Sequence, residues 1–141
     1  MHYYQAELKG GGYTAAENKA VGFSVVELKE ADYTSAEMKS ASYSAATLIA
    51  AGYSVAQLKT ALYSAAEIKD AGATGAQLKA AGFTLAELKS AANLSNADFC
   101  GAGYHSADLK AAGWTIGDLQ DRGYSISGSQ VHCGHGYWIA F

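Results

Sequence analysis

The sequence predicts an all-α solenoid of short capped helices, one per ten residues, with a β-hairpin cap at its C-terminal end. Three observations predict it. One pattern returns every ten residues from Tyr3 to roughly Ser125. Each copy carries the start and stop signals of a helix. No copy is long enough to persist alone, so the copies must stack. Reading from Tyr53 gives Y-S-V-A-Q-L-K-T-A-L, from Tyr63 Y-S-A-A-E-I-K-D-A-G, and from Phe83 F-T-L-A-E-L-K-S-A-A. The consensus is aromatic, Ser/Thr, any residue, Ala, Glu/Gln, Leu, Lys, any residue, Ala, Gly. About twelve such units fill the chain up to the C-terminal segment. One extra residue enters near Ala91–Ala92, and the phase resumes with Leu94, Tyr104, Trp114 and Tyr124.

Each unit begins with a capping signal. A Ser or Thr (Thr14, Ser24, Thr34, Ser44, Ser54, Ser64, Thr74, Thr84, Ser95, Thr115) precedes an acid or amide by three residues (Glu17, Glu27, Glu37, Gln57, Glu67, Gln77, Glu87, Asp98, Asp118). At that spacing the two side chains satisfy backbone donors reciprocally. Leu, Lys and Ala, all good helix formers, complete the body. Glycine then arrives at Gly12, Gly22, Gly52, Gly72, Gly82, Gly103, Gly113 and Gly123, where a left-handed residue ends a helix. Asn93 is expected to take that geometry beside the insertion, while Asp32, Ser42 and Leu62 suit it poorly.

The aromatic closes one helix and opens the next. After the terminating residue it is placed to contact the preceding Leu, and before the cap it is placed to staple onto the following Leu. Tyr53 should therefore touch Leu48 and Leu58, and successive decamers should share a Leu–aromatic ladder. The alanines at Ala36, Ala46, Ala56, Ala66, Ala76 and Ala86 suggest close backbone approach between units.

Residues 1–125 read as the repeat and 126–141 as a separate capping or assembly hairpin. In the latter, Gln130-Val131-His132-Cys133 and Tyr137-Trp138-Ile139-Ala140-Phe141 flank a Gly134-His135-Gly136 turn. Repeat arrays need atypical ends to hide their last layer. Tyr137, Trp138, Ile139 and Phe141 make this end apolar enough to dock on a neighbouring chain.

Composition excludes several classes. Of the 141 residues 16% are charged and the net charge is −3, which leaves no basic footprint for nucleic acid or for a membrane surface. No apolar run approaches a membrane span. The repeat starts almost at once after Met1, so no signal peptide is expected. Proline is absent, which suits continuous regular structure.

Candidate sites are few. His132, Cys133 and His135, with Cys100 and His105 upstream, supply zinc-ligand atoms at a spacing that matches no strong zinc pattern. Cys100 and Cys133 could instead pair as a disulfide. Casting Cys133 with His132 and His135 as nucleophile and base is disfavoured, because partners in such sites are rarely adjacent in sequence. No catalytic motif is present and no cofactor is implied; the chain is expected not to be an enzyme. The recurring lysines (Lys19, Lys29, Lys39, Lys59, Lys69, Lys79, Lys89) read as a solvated, self-neutralising face or as a stripe for acidic partners. The tyrosines (Tyr13, Tyr33, Tyr43, Tyr53, Tyr63, Tyr104, Tyr124) exchange with Phe23, Phe83 and Trp114, which implies packed rings with dispensable hydroxyls; the alternative is an aromatic row for carbohydrate or stacked bases.

Cut into fives, Ala92-Asn93-Leu94, Ala97-Asp98-Phe99 and Ala107-Asp108-Leu109 resemble the pentapeptide-repeat family over residues 92–119. That resemblance implies a right-handed quadrilateral β-helix and, for some members, mimicry of a nucleic-acid duplex, which needs a more acidic surface than this one. Repeated Glu and Lys between alanines favour helix. The strict pairing of Ser/Thr with Glu/Gln serves capping and has no equal necessity in fives. A narrow β-helical core would also bury tyrosine hydroxyls, each costing ~1–3 kcal/mol if unpaired. The functional expectation is a structural repeat protein that self-associates head to tail, as an oligomer or filament; the alternative is a solenoid binding module for a protein or glycan.

Overall fold

The repeats fold as helices in a computed structural model that describes residues 3–127, 130–133 and 137–140, with side chains described over 7–125. In order they are α1 (Tyr3–Gly10), α2 (Ala15–Ala20), α3 (Val25–Glu30), α4 (Ser35–Ser40), α5 (Ala45–Ala50), α6 (Val55–Thr60), α7 (Ala65–Asp70), α8 (Gly75–Ala80), α9 (Leu85–Ser90), α10 (Asn96–Gly101), α11 (Ser106–Ala111) and α12 (Ile116–Asp121). Short strands follow at β1 (Ser125–Ser127), β2 (Gln130–Cys133) and β3 (Tyr137–Ala140), with β1 antiparallel to β2 and β2 to β3. The turn Gly134-His135-Gly136 and Phe141 lie outside the described residues. A β-helix is overturned: Ala97-Asp98-Phe99 sits inside α10 and Ala107-Asp108-Leu109 inside α11.

Local chemistry explains the helices. In α3 the Ser24 N–H donates to Glu27 Oε2 at 2.7 Å, and the Glu27 N–H donates back to Ser24 Oγ at 3.3 Å. Most units repeat this exchange. In α5 Thr47 stands in for the acid, and only the Thr47 N–H to Ser44 Oγ half is made, at 3.2 Å. The other end closes as a Schellman turn. After α3 the Tyr33 N–H donates to Leu28 O and the Asp32 N–H to Lys29 O, both at 3.0 Å. The first of these two residues, here Asp32, must be left-handed. Asp32, Ser42 and Leu62 adopt that geometry although they are not glycine, with φ of 62°, 58° and 64°. Each carries roughly 1–2 kcal/mol of backbone strain, offset by the carbonyls the turn satisfies.

Asn93 does not take the left-handed position expected of it. The extra residue turns Ala91 extended, with ψ of 92°, so α9 ends without the Schellman pair. Asn93 Nδ2 instead reaches Ala66 O at 3.0 Å and Asp70 Oδ1 at 2.7 Å. Arg122 takes the carbonyls that α9 leaves open: Nη2 donates to Lys89 O at 2.6 Å, and Nη1 to Leu94 O at 2.9 Å and to Ala91 O.

The chain divides into two compact units, Met1–Tyr63 and Ser64–Phe141. Within the first, α1 packs on α3, α2 on α4 and α4 on α6; within the second, α7 packs on α9 and α8 on α10. The expectation that successive decamers stack is therefore corrected. Alternate decamers stack, and two helices make one coil. A six-residue helix presents fewer than two turns, too little surface to cover its own neighbour and still bury a shared core. The core is a file of wholly buried side chains: Leu28, Met38, Leu48 and Leu58 in the first unit, and Ile68, Leu78, Leu88, Phe99, Leu109 and Leu119 in the second.

The close approach also lies elsewhere than expected. Ala36, Ala46, Ala56, Ala76 and Ala86 are exposed, and Ala66 is half-buried. Buried small residues stand instead two positions after the aromatic, at Ala15, Ser35, Ala45, Ala65, Gly75 and Ser106, and two before it, at Ala31, Ala41 and Ala61. Ser35 Oγ donates to Gln57 O of the next coil at 2.8 Å. At Gly75 a Cβ would stand 2.2 Å from Asp98 O, so only glycine fits.

Candidate interaction surface

Two rows of polar side chains cross from coil to coil, and both were hidden in the decamer pattern. The first is lysine. Lys29 Nζ donates to Ala51 O at 3.0 Å and Gly52 O at 2.6 Å, and stands 5.3 Å from the centre of the Tyr53 ring. Lys19 treats Ala41 O and the Tyr43 ring in the same way, at 3.0 and 4.2 Å. Lys39 caps Leu62 O above Tyr63. In the second unit Lys79 serves Ala102 O and Tyr104, and Lys89 serves Gly113 O and Trp114. These carbonyls end helices and carry the negative pole of the helix dipole, so an ammonium there gains both a hydrogen bond and a favourable field; the ring face adds a cation–π attraction. The row is neither a free solvated face nor a stripe of unoccupied charges. It bolts alternate helices together.

The second row is tyrosine. The Tyr33 hydroxyl donates to Tyr13 O at 2.5 Å, Tyr53 to Tyr33 O at 2.6 Å and Tyr63 to Tyr43 O at 2.5 Å. These hydroxyls are therefore not dispensable. Asn18, the buried residue that replaces the core leucine of α2, gives a second bond to the Tyr33 hydroxyl at 2.8 Å. In the second unit Tyr124 Oη and Trp114 Nε1 are buried without a partner, and burial pushes the Tyr124 hydroxyl well above its ordinary range. Among the described residues Tyr33, Tyr53, Tyr63, Phe83, Trp114 and Tyr124 are buried, so these rings are packed rather than displayed for sugars or bases.

Acids close most caps, and some of them also meet a lysine from another coil. Lys9–Glu37, Lys69–Asp98 and Lys89–Asp118 pair at 2.9, 2.6 and 2.8 Å. Lys89 together with the Thr115 cap holds the Asp118 carboxyl down to about 2. Burial alone would raise Asp98, but Lys69 and the Ser95 cap outweigh it and keep the carboxyl below its usual range.

Between coils of the first unit the surface is grooved. One groove of about 510 Å³ lies along Lys9, Gly12, Tyr13, Tyr33 and Glu37. Another of about 450 Å³ lies along Lys29, Asp32, Tyr33, Tyr53 and Gln57, the same repeat positions one coil later.

The remaining candidates separate. His105 is exposed at the cap of α11, its Nδ1 3.6 Å from Asp108 Oδ2. Cys100 is held in a disulfide, and Cys133 is the one other cysteine of the chain. Among the described residues no three His, Cys, Asp or Glu side chains gather for a metal. The side chains of His132, Cys133, Tyr137, Trp138 and Ile139, like His135 and Phe141 altogether, lie outside the described residues.

Reciprocal caps, Schellman ends and cross-coil rows define a helical repeat protein of the solenoid class. A family described as a decapeptide repeat region matches residues 2–74 and again 62–130. The chain belongs to that family. No curated protein and no solved structure matches it.

Proposed function

We propose that this chain is a non-enzymatic structural scaffold that self-associates end to end into an oligomer or filament. The observation that carries the proposal is where its polar chemistry goes. Ser, Thr, Glu and Asp close the caps, while lysines and tyrosines join one coil to the next. A side chain committed to holding a stack is not gathered for turnover. Coil edges, by contrast, repeat, and an edge that accepts the next coil can accept one from a neighbouring chain; a head-to-tail contact that does not close builds a filament. In this reading residues 126–141 form the C-terminal capping and assembly element, with β2 against α10 and β3 against α11, and Tyr137, Trp138, Ile139 and Phe141 supply its adhesive surface. Sedimentation velocity across a concentration series, with negative-stain imaging, tests it: growing particles are expected, and a monomer at every concentration would refute self-association.

A second reading, a binding module for a protein or glycan, is favoured by the groove that recurs one coil apart in the first unit. Saturable binding of a glycan or peptide by a strictly monomeric chain, weakened by substitutions in those grooves, would support it over the first.

A further inference from the structure

We propose that Asn93 is the acceptor of an N-linked oligosaccharide. This modification is independent of self-association: it concerns what one flank of the second unit carries.

The acceptor signal is Asn-x-Ser/Thr with x other than proline, and the chain holds one such triplet, Asn93-Leu94-Ser95. It arises where the decamer phase breaks. Other copies read Gly, aromatic, Ser or Thr at these positions, as in Gly52-Tyr53-Ser54 and Gly82-Phe83-Thr84. An asparagine in the glycine position is ordinarily explained by a left-handed backbone, which Asn93 does not adopt. Ala91 is extended and α9 ends without its Schellman pair, so Asn93 stands on a turn between helices. Leu94 is buried and pins that turn, while Asn93 and Ser95 on either side of it are exposed.

The side-chain amide is open to a large substituent. Nδ2 donates to Ala66 O at 3.0 Å and to Asp70 Oδ1 at 2.7 Å, both at the surface. Glycosylation replaces one of its two hydrogens. The other remains to donate, and the acceptor given up is met by water, so the fold loses no more than one exposed hydrogen bond.

Cys100, in the helix that follows, is held in a disulfide. Such bonds persist in the oxidising surroundings of exported proteins and are rare where thiols are kept reduced. Those are the surroundings in which an asparagine of this kind receives its sugar. In the transfer Nδ2 takes the anomeric carbon of an oligosaccharide from a lipid-linked pyrophosphate donor. The N–C bond forms, the C–O bond to the pyrophosphate breaks with its electron pair leaving on oxygen, and the amide loses one proton; nothing is oxidised or reduced. The product is a bulky polar group beside Asp70 at the end of α7, and in any assembly that flank has to face water.

The protein is recovered from its own cells, reduced and digested with trypsin, and peptide 90–110, released between Lys89 and Lys110, is weighed before and after an amidase that frees sugars from asparagine. The peptide is expected to be heavier than its sequence by hexose and N-acetylhexosamine increments. The amidase should return it to the sequence mass plus one unit, because asparagine leaves that reaction as aspartate. Ser95→Ala and Asn93→Gln should each abolish the added mass, while Ser95→Thr, which keeps the hydroxyl, should retain it. Ser95→Ala leaves the Asn93 amide in place, so a purely structural asparagine would not tell the two serine variants apart. Peptide 90–110 at its unmodified mass would overturn the proposal, as would sugar that resists the amidase or survives Ser95→Ala.

Discussion

Replacing Gly75 with alanine tests whether the third position of the repeat sets the distance between coils. A Cβ there would lie 2.2 Å from Asp98 O, 2.7 Å from its carbonyl carbon and 3.0 Å from its Cα, where ordinary contact begins near 3.4 Å. All three are backbone atoms and cannot rotate aside, so α10 has to retreat by roughly 1 Å in a close-packed interior. The retreat also draws Asp98 from Lys69, now 2.6 Å away. Overpacking of this kind costs about 1–3 kcal/mol, and the better helix propensity of alanine returns up to ~1 kcal/mol. A net loss of about 1–2 kcal/mol should appear, several degrees in Tm for a chain of this size. Gly101 is the internal control. It closes α10, is exposed, and a Cβ there meets nothing within 4 Å, so Gly101→Ala should be neutral or stabilise by up to ~1 kcal/mol. Urea denaturation followed by far-ultraviolet circular dichroism reads both variants in one series. A Gly75→Ala chain as stable as the parent, or a Gly101→Ala chain that loses as much, would refute the placement of the close contact.

Tyr53→Phe removes a buried hydroxyl that donates to Tyr33 O at 2.6 Å, and should lower stability by about 1 kcal/mol, while Tyr13→Phe, at an exposed ring, should leave the urea midpoint unchanged. Leu62→Gly relieves a left-handed leucine that is 82% exposed; the relieved strain exceeds the added freedom of the unfolded chain, and a gain of up to ~1 kcal/mol is expected on thermal melting. Hydrogen bonds to the cap hold Glu17 and Glu27 below their ordinary 4.5, and Lys89 with its cap holds Asp118 at about 2. A carboxyl lowered by folding stabilises above its unfolded value and loses that contribution as pH falls through its folded value, so the urea midpoint should drop between pH 4.5 and about 2; a flat profile there would contradict the capping assignment. Burial raises Tyr53 above its ordinary 10.0, so the opposite limb should appear as pH climbs past that value, read by the same titration.

The helices were legible because their ends are written within one decamer. Ser24 and Glu27 are three residues apart, and Tyr33 closes onto Leu28 five residues back; a pattern of ten contains both. The stack was not legible, because its contacts join residues two decamers apart. The Tyr53 hydroxyl finds Tyr33 O at a separation of 20, and Lys29 finds Gly52 O at 23. In a repeat of period ten those separations look the same as 10 and 13, so the pattern cannot say whether neighbouring or alternate units touch. Substitutions carried the missing information. Asn18 in place of leucine signals a buried polar partner, met in Tyr33. Gly75 in a helical first turn, where propensity disfavours it, signals a close approach, met in Asp98. Arg122, after the last helix, had no signal at all in the repeat; its partners exist only because the extra residue leaves the end of α9 uncapped.

The two levels of specification have different consequences. Caps and Schellman turns make every decamer helical in prospect, but a six-residue helix has too few internal bonds to hold by itself. The cross-coil rows supply the rest, and each row is a hook reaching in one direction: Lys29 forward to the carbonyls before Tyr53, and the Tyr53 hydroxyl back to Tyr33. A stack built from directional hooks has unlike faces, one offering ammonium groups and hydroxyl acceptors, the other offering carbonyls and ring faces. Adding a coil satisfies one edge and exposes another of the same kind, so stability grows coil by coil while the edge is never removed. Such an array has to end in something that is not a repeat, or in another chain.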